Sequence, residues 1–263
     1  MRYRPPRVHP QARSFDRTAV IYERARPTYP PSAVRFLLRE LGLGPRRTVV
    51  ELGSGTGKLT RALLPSGSAV VAVEPAAGMR EVFGRVLPSA LVLEGTAEAI
   101  PLPDGFADAV VAAQAFHWFR TGPTLRELRR VLRPGGGLGL IWNERLSTTP
   151  VARGVNEVLE RWGEFRARTP GQAWRSTLQH GGQGFGPLVL RTFPHSQTLS
   201  PEALVDRVLS VSAMAVLRPE ERQQIAAEVR AILARAPTAG PGARVRLPYR
   251  TEVYVAHRTA GPA

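Results

Sequence analysis

The chain has 263 residues, of which 43% are hydrophobic and 22% are charged, which is ordinary for a globular protein. Cysteine is absent, and this excludes disulfide bonds, cysteine-ligated zinc sites and a cysteine nucleophile. No apolar run approaches the ~20 residues of a membrane-spanning helix, and none follows the basic first residues as a signal peptide requires. We therefore expect a cytoplasmic protein without a membrane partner.

The formal net charge of +15 comes almost entirely from arginine, because Lys58 is the only lysine among 36 basic residues. The excess lies before residue 51 and after residue 145, and the segment between them is nearly neutral. A basic surface attracts nucleic acid, but these segments lack the interleaved aromatic residues of single-strand binding grooves. A small-molecule partner is therefore favoured, and nucleic acid is the less favoured alternative.

In chain order, a basic arm over 1–13 precedes a region of loop and short helix, and the next helix is predicted to begin with Ser32 as N-cap and to stop at Gly42. Short apolar runs then alternate with amphipathic segments. The predicted strands cover 48–52, 69–73, 91–93, 108–112 and 138–142, and the predicted helices between them cover 58–64, 76–87 and 124–132. Continuous apolar strands separated by helices indicate a parallel sheet covered on both faces.

The regular alternation of short apolar runs with amphipathic segments ends after residue 143. The pattern predicts a helix over 150–168, a Gly- and Gln-rich loop over 170–186 and a strand over 188–193. A helix with Ser200 as N-cap, another over 219–234 and a strand over 244–257 complete the chain. The expected fold class is α/β, with a doubly wound, mostly parallel seven-stranded sheet and its ligand at the carboxyl ends of the strands.

A glycine-rich turn, ELGSGTG over 51–57, lies between the first strand and the next helix. Its backbone N–H groups can bind an anionic group, which the helix dipole also favours. Glu74 ends the second strand, 21 residues after Gly53, where a carboxylate can accept both ribose hydroxyls of an adenosine. The candidate cofactor-binding residues of the turn are Glu51, Gly53, Ser54, Gly55, Thr56 and Gly57.

A nicotinamide dinucleotide site is the competing interpretation of this turn. The pattern is Gly-x-Gly-x-Gly, however, and dinucleotide sites typically carry Gly-x-Gly-x-x-Gly. A tight turn without a ligand is the third interpretation of the glycines, and a solvated strand end is the corresponding one for Glu74.

Several other stretches accompany the turn: FDR at 15–17, YERARPTYP at 22–30, VEP at 73–75, GTAE at 95–98, QAFHWF at 114–119 and LRPGG at 132–136. With these motifs the chain resembles the class I S-adenosylmethionine (SAM)-dependent methyltransferases of the methyltransferase type 11/25 group. The resemblance extends from Phe15 to His257. It is specific for SAM methyltransferases, and it does not name the methyl acceptor.

The resemblance implies SAM as cofactor and a Rossmann-like fold. It divides the chain into a basic arm and cap or lid over 1–30, a methyltransferase domain over 31–258 and a tail over 259–263, with a helical, substrate-side insertion over 150–186. The further cofactor-binding residues that it implies are Tyr22, Pro75, Met79, Thr96, Ala97, Glu98 and Gln114. Thr96 departs from the Asp that the superfamily often has there, so its hydroxyl can still hydrogen-bond to the adenine amine but lacks the charge of a carboxylate.

His117 follows the fourth strand and is the candidate general base, with packing against Trp118 as the alternative role. No metal is expected, because the five histidines are scattered. Trp162, Phe165 and Trp174 are candidates either for the substrate pocket or for the core. The predicted function is SAM-dependent methyl transfer to O, N or C of a small molecule. An RNA methyltransferase and a non-catalytic SAM-binding protein are the alternatives.

Overall fold

The computed structural model describes residues 19–163, 173–179, 181–236 and 244–260. Its strands are β1 (Thr48–Leu52), β2 (Ala69–Val73), β3 (Leu91–Leu93), β4 (Ala107–Ala113), β5 (Leu132–Arg145), β6 (Val189–Leu199) and β7 (Val245–His257). They form one seven-stranded sheet in the order β3-β2-β1-β4-β5-β7-β6. Strands β1 to β5 are parallel, and β7 is antiparallel to both of its neighbours.

Ten α-helices are found in the described part of the chain. They are α1 (Ala19–Ala25), α2 (Pro31–Glu40), α3 (Lys58–Leu63), α4 (Ala77–Val86), α5 (Thr121–Val131), α6 (Pro150–Arg161), α7 (Ala173–Gln179), α8 (Pro201–Leu209), α9 (Ser212–Ala215) and α10 (Pro219–Ala234). Short 3₁₀ turns cover Leu64–Ser66 and Phe116–Trp118. Among the described helices, none is both long enough and apolar enough to cross a membrane.

The central strands are rich in valine because both faces of the sheet are buried. Neighbouring side chains on a strand point to opposite faces. Val50 of β1 therefore joins the core under α5, with Leu125 and Leu128, whereas Val49 joins the core under α2, with Leu37. Strands β1, β2 and β4 are parallel to one another, so all three end at the same edge of the sheet.

A second core lies beyond that edge. Helices α6, α8 and α10 pack against the ends of β6 and β7 through buried residues such as Val155, Leu204, Val229 and Leu247. Strand β5 enters this region at its carboxyl end, where its last residues pair with β7. The helices after β5 therefore lie on the side of the sheet where a ligand is expected.

The predicted α/β fold class and the seven strands are confirmed, and so is Ser200 as N-cap, because its hydroxyl accepts from the Ala203 N–H at 3.2 Å. The prediction of Ser32 as N-cap is wrong, because α2 begins at Pro31 after Pro30. A proline suits a first helical position, where no N–H is needed. The predicted loop over 170–186 is also wrong, since it contains α7.

Helix α7 carries Trp174 and Leu178, four residues apart on one face, and both are buried in the main core. The helix predicted over 150–168 ends at Arg161 within the described residues. Several predicted features lie wholly or partly outside the described residues. They are the basic arm over 1–13, the 15–17 stretch, Phe165, the helix beyond 163 and the end of the 259–263 tail. The division into cap, domain and tail stays a prediction.

Candidate functional site

A cleft opens at the carboxyl ends of β1, β2 and β4. It encloses about 530 Å³, part of which is open to solvent. Its lining residues are Tyr22, Gly53, Gly55, Glu74, Pro75, Met79, Ala113, Gln114, Ala115, Trp118 and Phe119. The cleft thus brings together seven predicted site residues: Tyr22, Gly53, Gly55, Glu74, Pro75, Met79 and Gln114.

Two glycines let the turn after β1 approach the cleft. Gly53 and Gly55 both have left-handed backbone conformations, with φ of +62° and +56°. A Cβ on Gly53 would lie only 2.8 Å from the Cβ of Ala115, whereas a Cβ on Gly55 would meet only Tyr22, at 4.0 Å. Gly53 therefore permits tight packing of the turn, and Gly55 leaves space that a ligand can occupy.

Glu74 follows β2 and holds a carboxylate at the cleft with only 6% of the residue exposed. Its Oε2 accepts from the Gly55 N–H and its Oε1 from the Ala76 N–H, each at 2.9 Å. A carboxylate has about four acceptor positions, so it can also accept hydrogen bonds from a ligand. The two loops that follow β1 and β2 are therefore joined through this side chain.

Gln114 follows β4 and has a φ of +55°, which is uncommon for a residue other than glycine. Its N–H donates to the Ile141 carbonyl at 3.0 Å, and its Nε2 donates to the Asn143 carbonyl at 3.2 Å. Asn143 in turn donates to the Thr28 carbonyl at 2.9 Å and accepts from the Thr251 hydroxyl at 2.6 Å. Gln114 is therefore held at the cleft by a network that also ties down the segment after α1.

Helix α1 supplies Tyr22 to the cleft, and burial raises the pKa of this phenol above its usual value. The adjacent Glu23 accepts from the Thr56 hydroxyl at 2.5 Å and from Arg61 at 2.9 Å. Lys58 donates to the Glu23 carbonyl at 2.6 Å. These bonds clamp α1 onto the start of α3, so that the N-terminal segment covers the glycine turn.

Comparison with known proteins decides the family. Residues 50–140 match the family model described as a methyltransferase domain. An uncharacterised methyltransferase of Mycobacterium tuberculosis is 38% identical over 90% of this chain and 93% of that protein. A methyltransferase-like protein of Schizosaccharomyces pombe is 33% identical over 92% of this chain and 94% of that protein. This chain is a class I SAM-dependent methyltransferase.

Solved structures share the fold of this methyltransferase. A proposed type II methyltransferase from Anaeromyxobacter dehalogenans aligns with a TM-score of 0.62 at 21% identity, covering 90% of this chain and 99% of the other. A proposed methyltransferase of an antibiotic biosynthesis pathway from Anabaena variabilis aligns with a TM-score of 0.59 at 18% identity, covering 88% and 98%. At these identities the likeness concerns the fold alone.

Glu51 does not line the cleft of the methyltransferase, although it begins the glycine turn. It is 1% exposed, and the Thr60 hydroxyl donates a hydrogen bond to its Oε2. Burial raises the pKa of its carboxyl to about 8, with the charge of Glu74 adding to this shift and the bonds to Thr60 opposing it. The carboxyl is therefore largely protonated at neutral pH, and its predicted contact with the cofactor stays a prediction.

Three other residues of the turn also lie outside the lining of the cleft. Ser54 is buried, and its Oγ has no hydrogen-bond partner within the described residues. Thr56 is bound to Glu23, and Gly57 is the N-cap of α3. Their predicted cofactor contacts stay predictions.

The turn over 96–98 also lies beside the cleft without lining it. Ala97 belongs to the main core, against which the cleft residue Phe119 packs. Glu98 accepts from the Arg120 N–H at 2.9 Å, and the Thr96 Oγ1 is buried without a partner in the described part of the chain. The predicted adenine-side contacts of this turn therefore also stay predictions.

His117 lies in the 3₁₀ turn after β4, with its ring 4.8 Å from that of Trp118. Trp118 lines the cleft and His117 does not. The predicted role of His117 as a base thus stays a prediction. For the alternative packing role, Trp118 is the ring against which His117 lies. Within the described residues, no group of His, Asp and Glu could hold a metal ion.

Four cleft residues were not predicted: Ala113, Ala115, Trp118 and Phe119. Ala113 is the last residue of β4, and the other three belong to the QAFHWF stretch that follows it, so their position at the end of a strand was the available signal. Trp174, in contrast, is a core residue, since it stacks on Trp142 with 4.9 Å between the ring centroids and is 3% exposed. Trp162 is partly buried against the second core.

Proposed function

We propose that this methyltransferase binds SAM in the cleft and transfers its methyl group to a small-molecule acceptor. The observation that carries the proposal is the joint position of Glu74 and Gly55. A nearly buried carboxylate and a glycine with open space beside it are linked by a 2.9 Å hydrogen bond at the ends of two parallel strands. That arrangement suits a ligand that carries a ribose.

The residues present fit the cofactor. Glu74 would accept the ribose hydroxyls, and the backbone around Gly53 and Gly55 would approach the methionine portion. Met79 and Phe119 offer apolar surface of the kind that an adenine ring requires. When bound, SAM supplies an activated methyl group on a sulfonium.

The chain itself contributes orientation and exclusion of water. Tyr22 and the clamp through Glu23 cover the cleft, while Trp118 and Phe119 form apolar walls. Holding two reactants in line can supply much of the rate enhancement without a base. We propose that proximity dominates, and that His117 acts as a base only for an acceptor that must lose a proton.

Titration with S-adenosylhomocysteine (SAH) and with NAD, followed by a labelled-methyl transfer assay on a small-molecule panel, tests the proposal. We expect SAH to bind, NAD not to bind and at least one small molecule to be methylated. Binding of NAD in place of SAH would contradict the cofactor assignment. Transfer of the labelled methyl group to RNA and not to a small molecule would support the RNA alternative, provided that the affinity of the protein for RNA persists at moderate salt. SAH binding without any transfer would favour a non-catalytic protein.

A further inference from the structure

Arg207 is a buried arginine in the last turn of α8, with only 3% of the residue exposed. Its Nε donates to the Tyr249 hydroxyl at 3.2 Å. Its Nη1 is buried and has no hydrogen-bond partner among the residues that the structure describes. A guanidinium keeps its charge in proteins, and a buried charge is costly unless it is paired. An anion is therefore the missing partner that the chemistry of this side chain calls for.

A chain of contacts joins Arg207 to the cleft. The guanidinium of Arg26 lies 5.1 Å from the ring centroid of Tyr22, which lines the cleft. Arg26 donates to the Ser210 carbonyl at 3.0 Å, and the Ser210 hydroxyl donates to the Arg207 carbonyl at 2.8 Å. Burial raises the pKa of Tyr22, and the charges of Arg26 and Arg207 oppose that shift. The positive charges of two guanidinium groups thus favour the ionised form of a phenol in the wall of the cleft.

The acidic side chains of this region are engaged elsewhere. Asp206, next to Arg207 on α8, is paired with Arg24. Glu23 is bound by Thr56 and Arg61 across the glycine turn, and Glu74 accepts from two backbone N–H groups. Within the described residues, no carboxylate forms an ion pair with Arg207.

The sheet beside Arg207 carries a second buried polar atom without a partner. His195 of β6 lies opposite Tyr249 of β7, and their ring centroids are 6.1 Å apart. The Nε2 of His195 is buried, and no described residue bonds to it. The ring of Tyr249, whose hydroxyl accepts from Arg207, therefore lies beside a histidine that can also bind an oxygen-containing group.

We propose that Arg207 binds a carboxylate of the methyl acceptor, so that the substrates of this enzyme are small carboxylic acids. This inference rests on the proposed function and adds the substrate class to it. A planar guanidinium matches a carboxylate in charge and geometry, and the bonds between them are strong because both groups are charged. A carboxylate is favoured over a phosphate because Nη1 is the one buried donor atom of Arg207 without a partner among the described residues, whereas a dianion calls for several donors.

The test uses the SAH complex of three proteins: the wild type, Arg207→Gln and the control Arg230→Gln. Arg230 is exposed on α10, so its variant has the same change in charge in the same helical region. Benzoate, succinate and octanoate are each compared with the matching amide by thermal shift and calorimetry. We expect the wild type and the control to bind acids and not amides. Arg207→Gln is expected to bind acids about 10- to 100-fold more weakly, with unchanged SAH affinity.

Three results would overturn the assignment. The first is a wild-type SAH complex that binds no acid more tightly than its amide. The second is a folded Arg207→Gln with unchanged acid affinity. The third is a loss of SAH affinity in that variant, because the bound carboxylate would then be that of the cofactor. If Arg207→Gln does not fold, the neutral variant Arg207→Met takes its place, and unchanged acid affinity in the methionine variant also refutes the proposal. Failure of the wild type to bind SAH is seen separately and contradicts the proposed function itself.

Discussion

Replacing Glu74 by glutamine tests the cofactor assignment with almost no change in side-chain volume. Both carboxylate oxygens of the wild type accept backbone N–H groups, from Gly55 and from Ala76, at 2.9 Å each. A glutamine amide can accept only one of these bonds, because its nitrogen is itself a donor. The other N–H would then face a donor, and we expect a stability loss of about 1–3 kcal/mol.

The effect on ligand binding adds to this loss. A ribose held by Glu74 would donate two hydrogen bonds to a charged acceptor, and removing that acceptor costs about 1.5–3 kcal/mol of binding free energy. SAH should therefore bind to Glu74→Gln about 10- to 150-fold more weakly than to the wild type. Calorimetric titration measures the affinity, and urea unfolding records the stability change separately.

Glu94→Gln provides the matched control. Glu94 follows β3, the neighbouring strand, and its side chain is 74% exposed in an ion pair with Arg80. An exposed pair of this kind contributes little, so its variant should bind SAH like the wild type. If a folded Glu74→Gln bound SAH as tightly as Glu94→Gln, Glu74 would not be a ribose ligand.

Three further predictions concern the glycine turn and the helix that packs on it. Because burial raises the pKa of Glu51 to about 8, the unfolded chain loses this proton first as pH rises. Wild-type stability relative to Glu51→Gln should therefore fall by about 3–5 kcal/mol between pH 4.5 and 8, and parallel urea-unfolding curves would refute this. Gly53→Ala should lower Tm more than Gly55→Ala, since its Cβ would meet Ala115 at 2.8 Å, while Gly55→Ala should mainly weaken SAH binding; equal Tm losses would contradict the packing argument. Glu23→Gln should speed SAH dissociation in stopped-flow measurements by loosening the clamp on α1, and an unchanged rate would mean that the clamp does not retain the ligand.

The sheet was predictable because local pattern and tertiary environment agree there. The strands Thr48–Leu52 and Ala69–Val73 have the predicted bounds, since a continuous valine-rich run suits a strand buried on both faces. Helix α7 could not be predicted from its neighbourhood, which is rich in glycine and glutamine. It is held by Trp174 and Leu178, whose burial in the main core depends on residues far away in the chain. Tertiary packing of this kind often decides the state of a short helix.

The candidate site divides in the same way. Gly53, Gly55 and Glu74 were predictable because their positions at the ends of adjacent strands follow from the strand pattern itself. Trp118 and Phe119 could be noticed only as part of a family motif. The local sequence does not predict which side chains in and after a short 3₁₀ turn face the cleft. Arg207 could not be predicted as a site residue from the sequence. The chain contains many arginines, and only the burial of Arg207 in the structure distinguishes it from the others.

This difference has a physical origin that bears on how the acceptor can be found. The turn at Gly53 and Gly55 sits within a few residues of the strand that positions it, so one short motif encodes that wall of the cleft. The region around Arg207 is assembled by α1 packing on α8, as in the ion pair of Arg24 with Asp206, and by the bond from Gln197 of β6 to the Ala25 carbonyl at 2.8 Å. No short motif can encode such an arrangement. The substrate class is therefore better sought from a buried charge without an ion-pair partner in the described structure than from any motif, and the acid-against-amide comparison addresses that charge directly.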